Sequence, residues 1–222
     1  ADEELHAVIE RQPQHGPTWF ALGFCQEKLG EPEEAILSYE RALEAAPNLR
    51  NAHERLAAVY LKLDNVKMAI THYELLCWAE PGDINSALTL ANLYVRIERF
   101  EDAIARYQFA LTIAPDHWEA QDDLVAACAD SGRYEEAVRI LRELAERRPE
   151  CAEHHLRLGN LYTKTGQDQE AWTAYTKALQ LNPDYLEAAI KLGTLCLRRG
   201  EYEASAQAFG RAIEINDRIV SG

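Results

Sequence analysis

The chain has 222 residues, of which 47% are hydrophobic and 27% are charged, with 11 glycines and 8 prolines. This composition is typical of an ordered, helix-rich protein and excludes a disordered or collagen-like chain. Acidic residues outnumber basic ones by 37 to 23, giving a net charge of −14, which argues against nucleic acid or an anionic membrane surface as the main ligand because both are bound through Lys and Arg.

A strict period of 34 residues organises the chain. Six prolines mark it: Pro13, Pro47, Pro81, Pro115, Pro149 and Pro183. With Gly16 counted as position 1, position 7 is always leucine: Leu22, Leu56, Leu90, Leu124, Leu158 and Leu192. Position 20 is always small: Ala35, Ala69, Ala103, Ala137, Ala171 and Ser205. Position 24 is large and apolar or aromatic: Tyr39, Tyr73, Tyr107, Leu141, Tyr175 and Phe209.

Each period predicts a pair of helices. Apolar residues recur at spacings of three and four in both halves, which indicates two amphipathic helices. Because a proline cannot continue a helix, each one ends the second helix of its unit. A hairpin this short has no core of its own, so the hairpins must stack on one another to bury a common core.

The units follow in chain order, and the ends of the chain fit the same period. We predict the second helix of a truncated preceding unit at 1–15 and the opening of a truncated following unit at 220–222. Six complete units lie between them: 16–49, 50–83, 84–117, 118–151, 152–185 and 186–219.

The turn between the two helices of a unit is expected to need a left-handed residue. Four units place glycine there, at Gly30, Gly132, Gly166 and Gly200, which suits a positive φ angle. The second and third units have Asp64 and Glu98 instead. We expect those two turns either to differ in shape or to carry backbone strain.

These residues resemble the tetratricopeptide repeat. The first unit has the pattern nearly complete, with Trp19, Leu22, Gly23, Ala35, Tyr39, Ala42 and Pro47, and the resemblance extends over residues 16–219. It implies an all-α fold, an α-solenoid in which antiparallel helix hairpins wind into a right-handed superhelix. It also implies a concave groove lined by the first helix of each hairpin, where a protein or peptide partner binds.

The resemblance assigns the groove to positions 2, 5, 6, 9, 12 and 13 of each unit. From these positions we select as partner-binding candidates Phe20, Phe24, Glu54, Arg55, Lys62, Leu88, Asn92, Arg96, Asp122, Asp123, Arg157, Asn160, Lys164, Lys191 and Arg198. The groove charges alternate from basic to acidic in the fourth unit and back to basic, which suits a ligand whose acids flank a basic centre. The alternative is that these charges only solvate an exposed face.

Two of the candidates are aromatic and lie four residues apart. Phe20 and Phe24 could anchor an apolar side chain of the partner, since aromatic residues often carry interface energy. The alternative is that they pack against the preceding half-unit.

Nothing in the sequence indicates catalysis. It contains no nucleophile elbow, HExxH motif or phosphate-binding glycine loop, so we expect no catalytic residue and no cofactor. The Cys-x-x-His spacing of Cys151 and His154 has no second pair of ligands nearby, so we expect no metal site. Two specialised groove patterns of the family, the carboxylate clamp and the asparagine ladder, are also incomplete.

The sequence therefore predicts a non-catalytic scaffold that binds a partner peptide or helix in the groove. The alternative is a regulatory or substrate-presenting arm of a larger enzyme whose catalytic domain lies elsewhere. Uncapped terminal units favour end-to-end self-association. Five cysteines without a CxxC pair favour a reducing, cytoplasmic location, and no apolar run approaches the ~20 residues that cross a bilayer.

Overall fold

The computed structural model describes residues 2–221, which form helices joined by short turns, with no β-strand among them. The helices are α1 Asp2–Arg11, α2 Gly16–Leu29, α3 Pro32–Ala45, α4 Arg50–Lys62, α5 Val66–Ala79, α6 Ile84–Arg96, α7 Phe100–Ile113, α8 Trp118–Asp130, α9 Tyr134–Arg147, α10 Ala152–Lys164, α11 Asp168–Leu181, α12 Leu186–Arg198 and α13 Tyr202–Ser221. The predicted all-α, α-solenoid class is confirmed. None of the helices within residues 2–221 combines the length and apolarity needed to cross a membrane.

The periodic prolines end the second helices as predicted. The residue before a proline is pushed out of helical backbone geometry, and Ala46, before Pro47, has φ −142° and ψ 83°. The last unit has Asp217 at this position, and α13 runs on to Ser221. Val220 and Ser221 therefore belong to α13. Gly222, the last residue of the predicted following unit 220–222, lies outside the described residues.

The helices divide into two compact units, one ending at Ala120 and the other beginning at Gln121. From here on, the first unit and the second unit mean these two parts, and each 34-residue period is called a repeat. In the first unit, the position-7 leucines Leu22, Leu56 and Leu90 are at most 2% exposed, and Tyr39 and Tyr107 are equally buried. In the second unit, the core gathers Leu156, Ala171, Tyr175, Ala178, Leu179, Ala188, Ala189, Leu195, Ala212 and Ile215. Many of the residues that define the period are thus in the core, although Tyr73, Leu192 and Phe209 are only half-buried.

All the turns between paired helices share one backbone geometry. Asp64 has φ 57° and Glu98 has φ 59°, beside 74–82° at the four glycines. The hydrogen bond that closes the turn is also the same, from the Asn65 amide to the Tyr60 carbonyl (2.8 Å) as from the Glu31 amide to the Gln26 carbonyl (3.0 Å). The turns therefore do not differ in kind, and Asp64 and Glu98 adopt a left-handed conformation that a side chain disfavours.

Glu98→Gly is expected to stabilise the protein by about 1 kcal/mol, because glycine removes the left-handed strain at an exposed site. Asp64 is less suited to this test because its carboxylate pairs with Arg96. The measurement is the free energy of unfolding in urea. Glu98→Ala keeps the Cβ atom and should give no such gain, so equal stabilisation by both variants would contradict the strain.

In three hairpins, glycine at position 8 lets the paired helices approach closely. A Cβ atom added at Gly23 would lie 2.8 Å from Tyr39 Cδ1, and one added at Gly159 would lie 2.5 Å from Tyr175 Cε1. Gly193 meets Phe209 in the same way, at 2.9 Å. In these three hairpins the aromatic ring of the second helix lies directly on the backbone of the first.

Gly159→Ala is expected to destabilise the protein by roughly 1–3 kcal/mol, since overpacking forces the ring of Tyr175 to move. Gly210→Ala is the matched control, because a Cβ atom there has no neighbour within 4 Å and alanine favours the helix by about 1 kcal/mol. Thermal and urea unfolding should therefore shift in opposite directions for the two variants. A shift in the same direction would show that the contact does not limit the hairpin.

Candidate functional site

The predicted groove residues lie on the first helices of the hairpins, whose exposed side we call the inner face. In the first unit it is formed by α2, α4 and α6, and in the second by α10, α12 and residues 121–130 of α8. The geometry of each part depends on which side chains pair with one another.

Glu27 organises the inner face of the first unit. Its side chain is only 6% exposed, and its carboxylate accepts hydrogen bonds from Arg55 Nη2 (2.6 Å), Lys62 Nζ (2.7 Å) and the Tyr39 hydroxyl (3.1 Å). Burial opposes ionisation, but these donors outweigh it and hold the pKa of Glu27 below its ordinary value. The predicted ligand-binding cations Arg55 and Lys62 are thus already paired within the protein.

Phe20 and Phe24 lie beside this network. Phe20 packs on Tyr39, with ring centroids 5.6 Å apart, so its contact includes the second helix of its own hairpin. Phe24 is 40% exposed, and Lys28 Nζ and Arg55 Cζ each lie 5.2 Å from its ring centroid. The exposed ring of Phe24 therefore carries two cations by cation–π attraction.

The remaining candidates of the first unit are also engaged. Glu54 pairs with Arg50 (2.8 Å) and Arg96 pairs with Asp64 (2.5 Å). Asn92 accepts a hydrogen bond from the Tyr107 hydroxyl, and Leu88 is half-buried. Every charged candidate in this unit consequently has an intramolecular partner.

In the second unit, Asp122 is bound by Arg157. Arg157 donates from Nη1 to the Asp122 carboxylate (2.5 Å) and from Nη2 to the Asp122 carbonyl (3.1 Å). Arg198 pairs with Asp168, and Asp123 is half-buried. Asp122, which we predicted to face a basic group of the ligand, is therefore already paired with an arginine of the next repeat.

Four of the predicted residues line one cavity of about 400 Å³ in the second unit: Arg157, Asn160, Lys164 and Lys191. Its other walls are Val125, Ala126, Ala129, Asp130, Leu161, Thr163 and Tyr175. Here predicted residues of the inner face meet around an open space.

The polar groups of the cavity are held in defined positions. The Tyr175 hydroxyl donates to Asn160 Oδ1 (2.8 Å) and lies 3.1 Å from Thr163 Oγ1. The amide nitrogen of Asn160 thereby faces away from this bond as a donor. Lys164 Nζ lies 5.3 Å from the centroid of the Tyr134 ring, and Lys191 is exposed.

Two residues outside the predicted set shape the site. Glu27 stands at a groove position of the first unit but is buried by its partners. The position of Tyr175 in the period predicts a core residue, and its ring is buried. Only the length of tyrosine, which lets its hydroxyl pass through the core to the inner face, could have indicated the second role.

The next feature is the set of possible metal ligands among the described residues. Among them, no three or more His, Cys, Asp or Glu side chains come together in a way that could hold a metal ion. His155, beside the Cys151–His154 spacing, has its Nε2 atom 3.4 Å from the Pro149 carbonyl.

Comparison with protein families matches three tetratricopeptide-repeat models. Two are described as Tetratricopeptide repeat, one matching residues 97–161 and 129–173 and the other residues 17–49. The third, described as TPR repeat, matches residues 159–198. Together these matches span more than half of the chain. The chain belongs to the tetratricopeptide repeat family.

Solved structures of other proteins share its fold. MamA from Desulfovibrio magneticus RS-1, from residue 41 to its end, has a TM-score of 0.65 at 18% identity over 77% of this chain and 97% of its own. YrrB, described as a TPR protein with an unusual peptide-binding site, has a TM-score of 0.63 at 22% identity over 85% and 97%. The Naa15/Naa10 structure bound to HypK-THB has a TM-score of 0.77 at 17% identity over 97% and 34%. The comparison with curated proteins found no match.

Membership of this family supports a general role as a protein-interaction scaffold. Tetratricopeptide repeats typically bind protein or peptide partners without catalysing a reaction, and no catalytic family matches the chain.

Glu27→Ala is expected to cost about 2 kcal/mol of stability, because it leaves Arg55 and the Tyr39 hydroxyl without their shared acceptor. Lys62→Ala should cost less than about 0.5 kcal/mol, since Lys62 is 63% exposed and surface pairs contribute little. The measurement is the free energy of unfolding at pH 7.

The pH dependence offers a second check on Glu27. Because the folded-state pKa is lowered, its contribution is present above the ordinary glutamate value of 4.5 and is lost as the pH falls below it. The difference between wild type and Glu27→Ala should therefore shrink in acid. A difference that is constant from pH 7 to pH 3 would contradict an ionised network.

Proposed function

We propose that this tetratricopeptide array binds a peptide or helix of a partner protein along its inner face, with the cavity of the second unit as the main contact. The observation that carries the proposal is the convergence of Arg157, Asn160, Lys164 and Lys191 around that cavity. YrrB, which shares the fold, is described as having a peptide-binding site, and the Naa15/Naa10 structure is of a complex with HypK-THB.

The charges of the cavity favour an acidic side chain of the partner. Arg157 already pairs with Asp122, so the exposed ammonium group of Lys191 and the amide nitrogen of Asn160 are the donors that remain for a ligand. A carboxylate between them would gain a charge-assisted hydrogen bond, which is about twice as strong as a neutral one. Lys164 strengthens the positive potential on the same side.

The small residues of the cavity favour an aliphatic neighbour of that acid. Ala126 and Ala129 leave room on α8, and Val125 and Leu161 supply apolar surface. Asp130, exposed at the edge, can accept from a basic residue of the partner. The free cysteines suit the reducing, cytoplasmic location that we propose for this function.

The test is selection of peptides from a phage-displayed random 12-residue library on the 222-residue chain. We expect the selected peptides to contain Asp or Glu beside an aliphatic residue, and to lose at least tenfold in affinity to Lys191→Glu in calorimetry. Asn160→Ala should weaken them less, because it removes one neutral donor.

The control is Lys177→Glu, which makes the same change of charge at an exposed position of α11 in the same unit. It should leave the affinity within twofold. A library that yields no acidic binder, or binders that tolerate Lys191→Glu while circular dichroism shows the fold intact, would overturn the proposal.

A further inference from the structure

The outer face of the first unit, on the side of its second helices α3 and α5, contains a pocket that the inner-face function does not use. Its cavity has a volume of about 320 Å³. Its apolar walls are Leu43, Pro47, Leu75, Leu76 and Trp78. We call it the Trp78 pocket.

Trp78 is the most exposed of the large apolar residues with a described environment, at 80%, and Leu75 beside it is 44% exposed. The repeat pattern does not explain this tryptophan. Its position in the period is 29, and the other five repeats place polar residues there: Glu44, Thr112, Glu146, Gln180 and Glu214. Exposed tryptophan at the rim of an apolar pocket is typical of an interface anchor.

The floor of the pocket is a histidine whose polar atoms are already satisfied. His53 Nε2 donates to the Pro47 carbonyl (2.9 Å), and His53 Nδ1 lies 3.0 Å from Nδ1 of the buried His72. Burial, and after it the neighbouring His53, lower the pKa of His72 to about 4, so this partner is neutral at pH 7. The floor therefore offers ring surface and no free donor, which suits an apolar side chain.

The rim of the pocket is negative. Arg50 there binds three carboxylates, those of Glu54 (2.8 Å), Glu80 (2.5 Å) and Asp83. One guanidinium group cannot neutralise three carboxylates, and Glu80 is 57% exposed. A partner that places an apolar side chain in the pocket would gain from a cation beside it.

We propose that the Trp78 pocket docks a segment of a partner protein in which a large aliphatic or aromatic residue lies next to Lys or Arg. The apolar residue enters between Leu43, Leu75 and Trp78, over His53. The cation lies at the rim beside Glu80. This site is separate from the inner-face cavity of the second unit, and either can exist without the other.

The test uses the same 12-residue library on the full chain carrying Lys191→Glu, which disfavours binders of the inner-face cavity. We expect selected peptides with an apolar residue within two positions of Lys or Arg. Trp78→Ala should weaken them at least tenfold, and Glu80→Gln should weaken them about threefold and reduce the dependence of binding on salt concentration.

Two controls match these variants. Trp118→Ala removes another exposed tryptophan of the same unit, 51% exposed, and Glu98→Gln neutralises an exposed glutamate outside the pocket. Both should bind within twofold of the parent. Since Trp78 is mostly exposed, Trp78→Ala should fold normally, which circular dichroism checks.

Three outcomes would overturn the proposal. The library could yield no peptide that depends on Trp78, or the selected peptides could be acidic around their apolar residue. Sedimentation could also show a concentration-dependent dimer that Trp78→Ala abolishes, in which case the occupant is a second copy of the chain.

Discussion

The contact between the aromatic residue at position 24 and the first helix of its hairpin is the constraint on which the rest of the structure depends. The ring of Tyr175 lies so close to Gly159 that no Cβ atom fits between them. The same side chain then reaches through the core, and its hydroxyl donates to Asn160 on the inner face. Tyr39 repeats this arrangement with Glu27. One residue type thus closes the hairpin and also fixes a polar group of the binding surface, so the core and the site are not independent.

Most of the fold could be predicted because the residues that determine it act within one 34-residue repeat. The spacing of Leu, Ala and Tyr follows from helix geometry, and each proline ends a helix through its own steric demand. Where the determinant is missing, the prediction weakens: Asp217 replaces the proline, and α13 continues to Ser221. Asp64 and Glu98 could be identified as unusual turn residues. Their backbone angles could not be chosen in advance, because neighbouring contacts decide whether a residue accepts strain or a turn changes shape.

The pairing of the inner-face charges was beyond a prediction from position alone. A residue's position assigns it to a face, but its partner stands in the next repeat, as Glu27 and Arg55 do at a separation of 28 residues. Long side chains span the distance between adjacent first helices, so charges counted as free are mutually neutralised. The charged groups available to a ligand are those left outside these intramolecular pairs. Lys191 matters because the pairing that engages Arg55, Arg157 and Arg198 leaves its ammonium group at the open cavity.

The outer face of a repeat is less constrained by the core than its inner face is. Each hairpin packs only on its neighbours, so positions 7, 8, 20 and 24 carry the stability of the array. Position 29 contributes nothing to this core, and the other five repeats have polar residues there, which favour solubility. A tryptophan there exposes apolar area to water without gaining any packing. Because Leu75 lies beside it and a closed set of hydrogen bonds at His53 makes the floor apolar, the exposed area belongs to a shaped pocket. The repeat pattern gives no reason for Trp78, because the other repeats have a polar residue at position 29. A contact with a partner protein at the outer face gives the reason, and this is the basis of the proposed docking site.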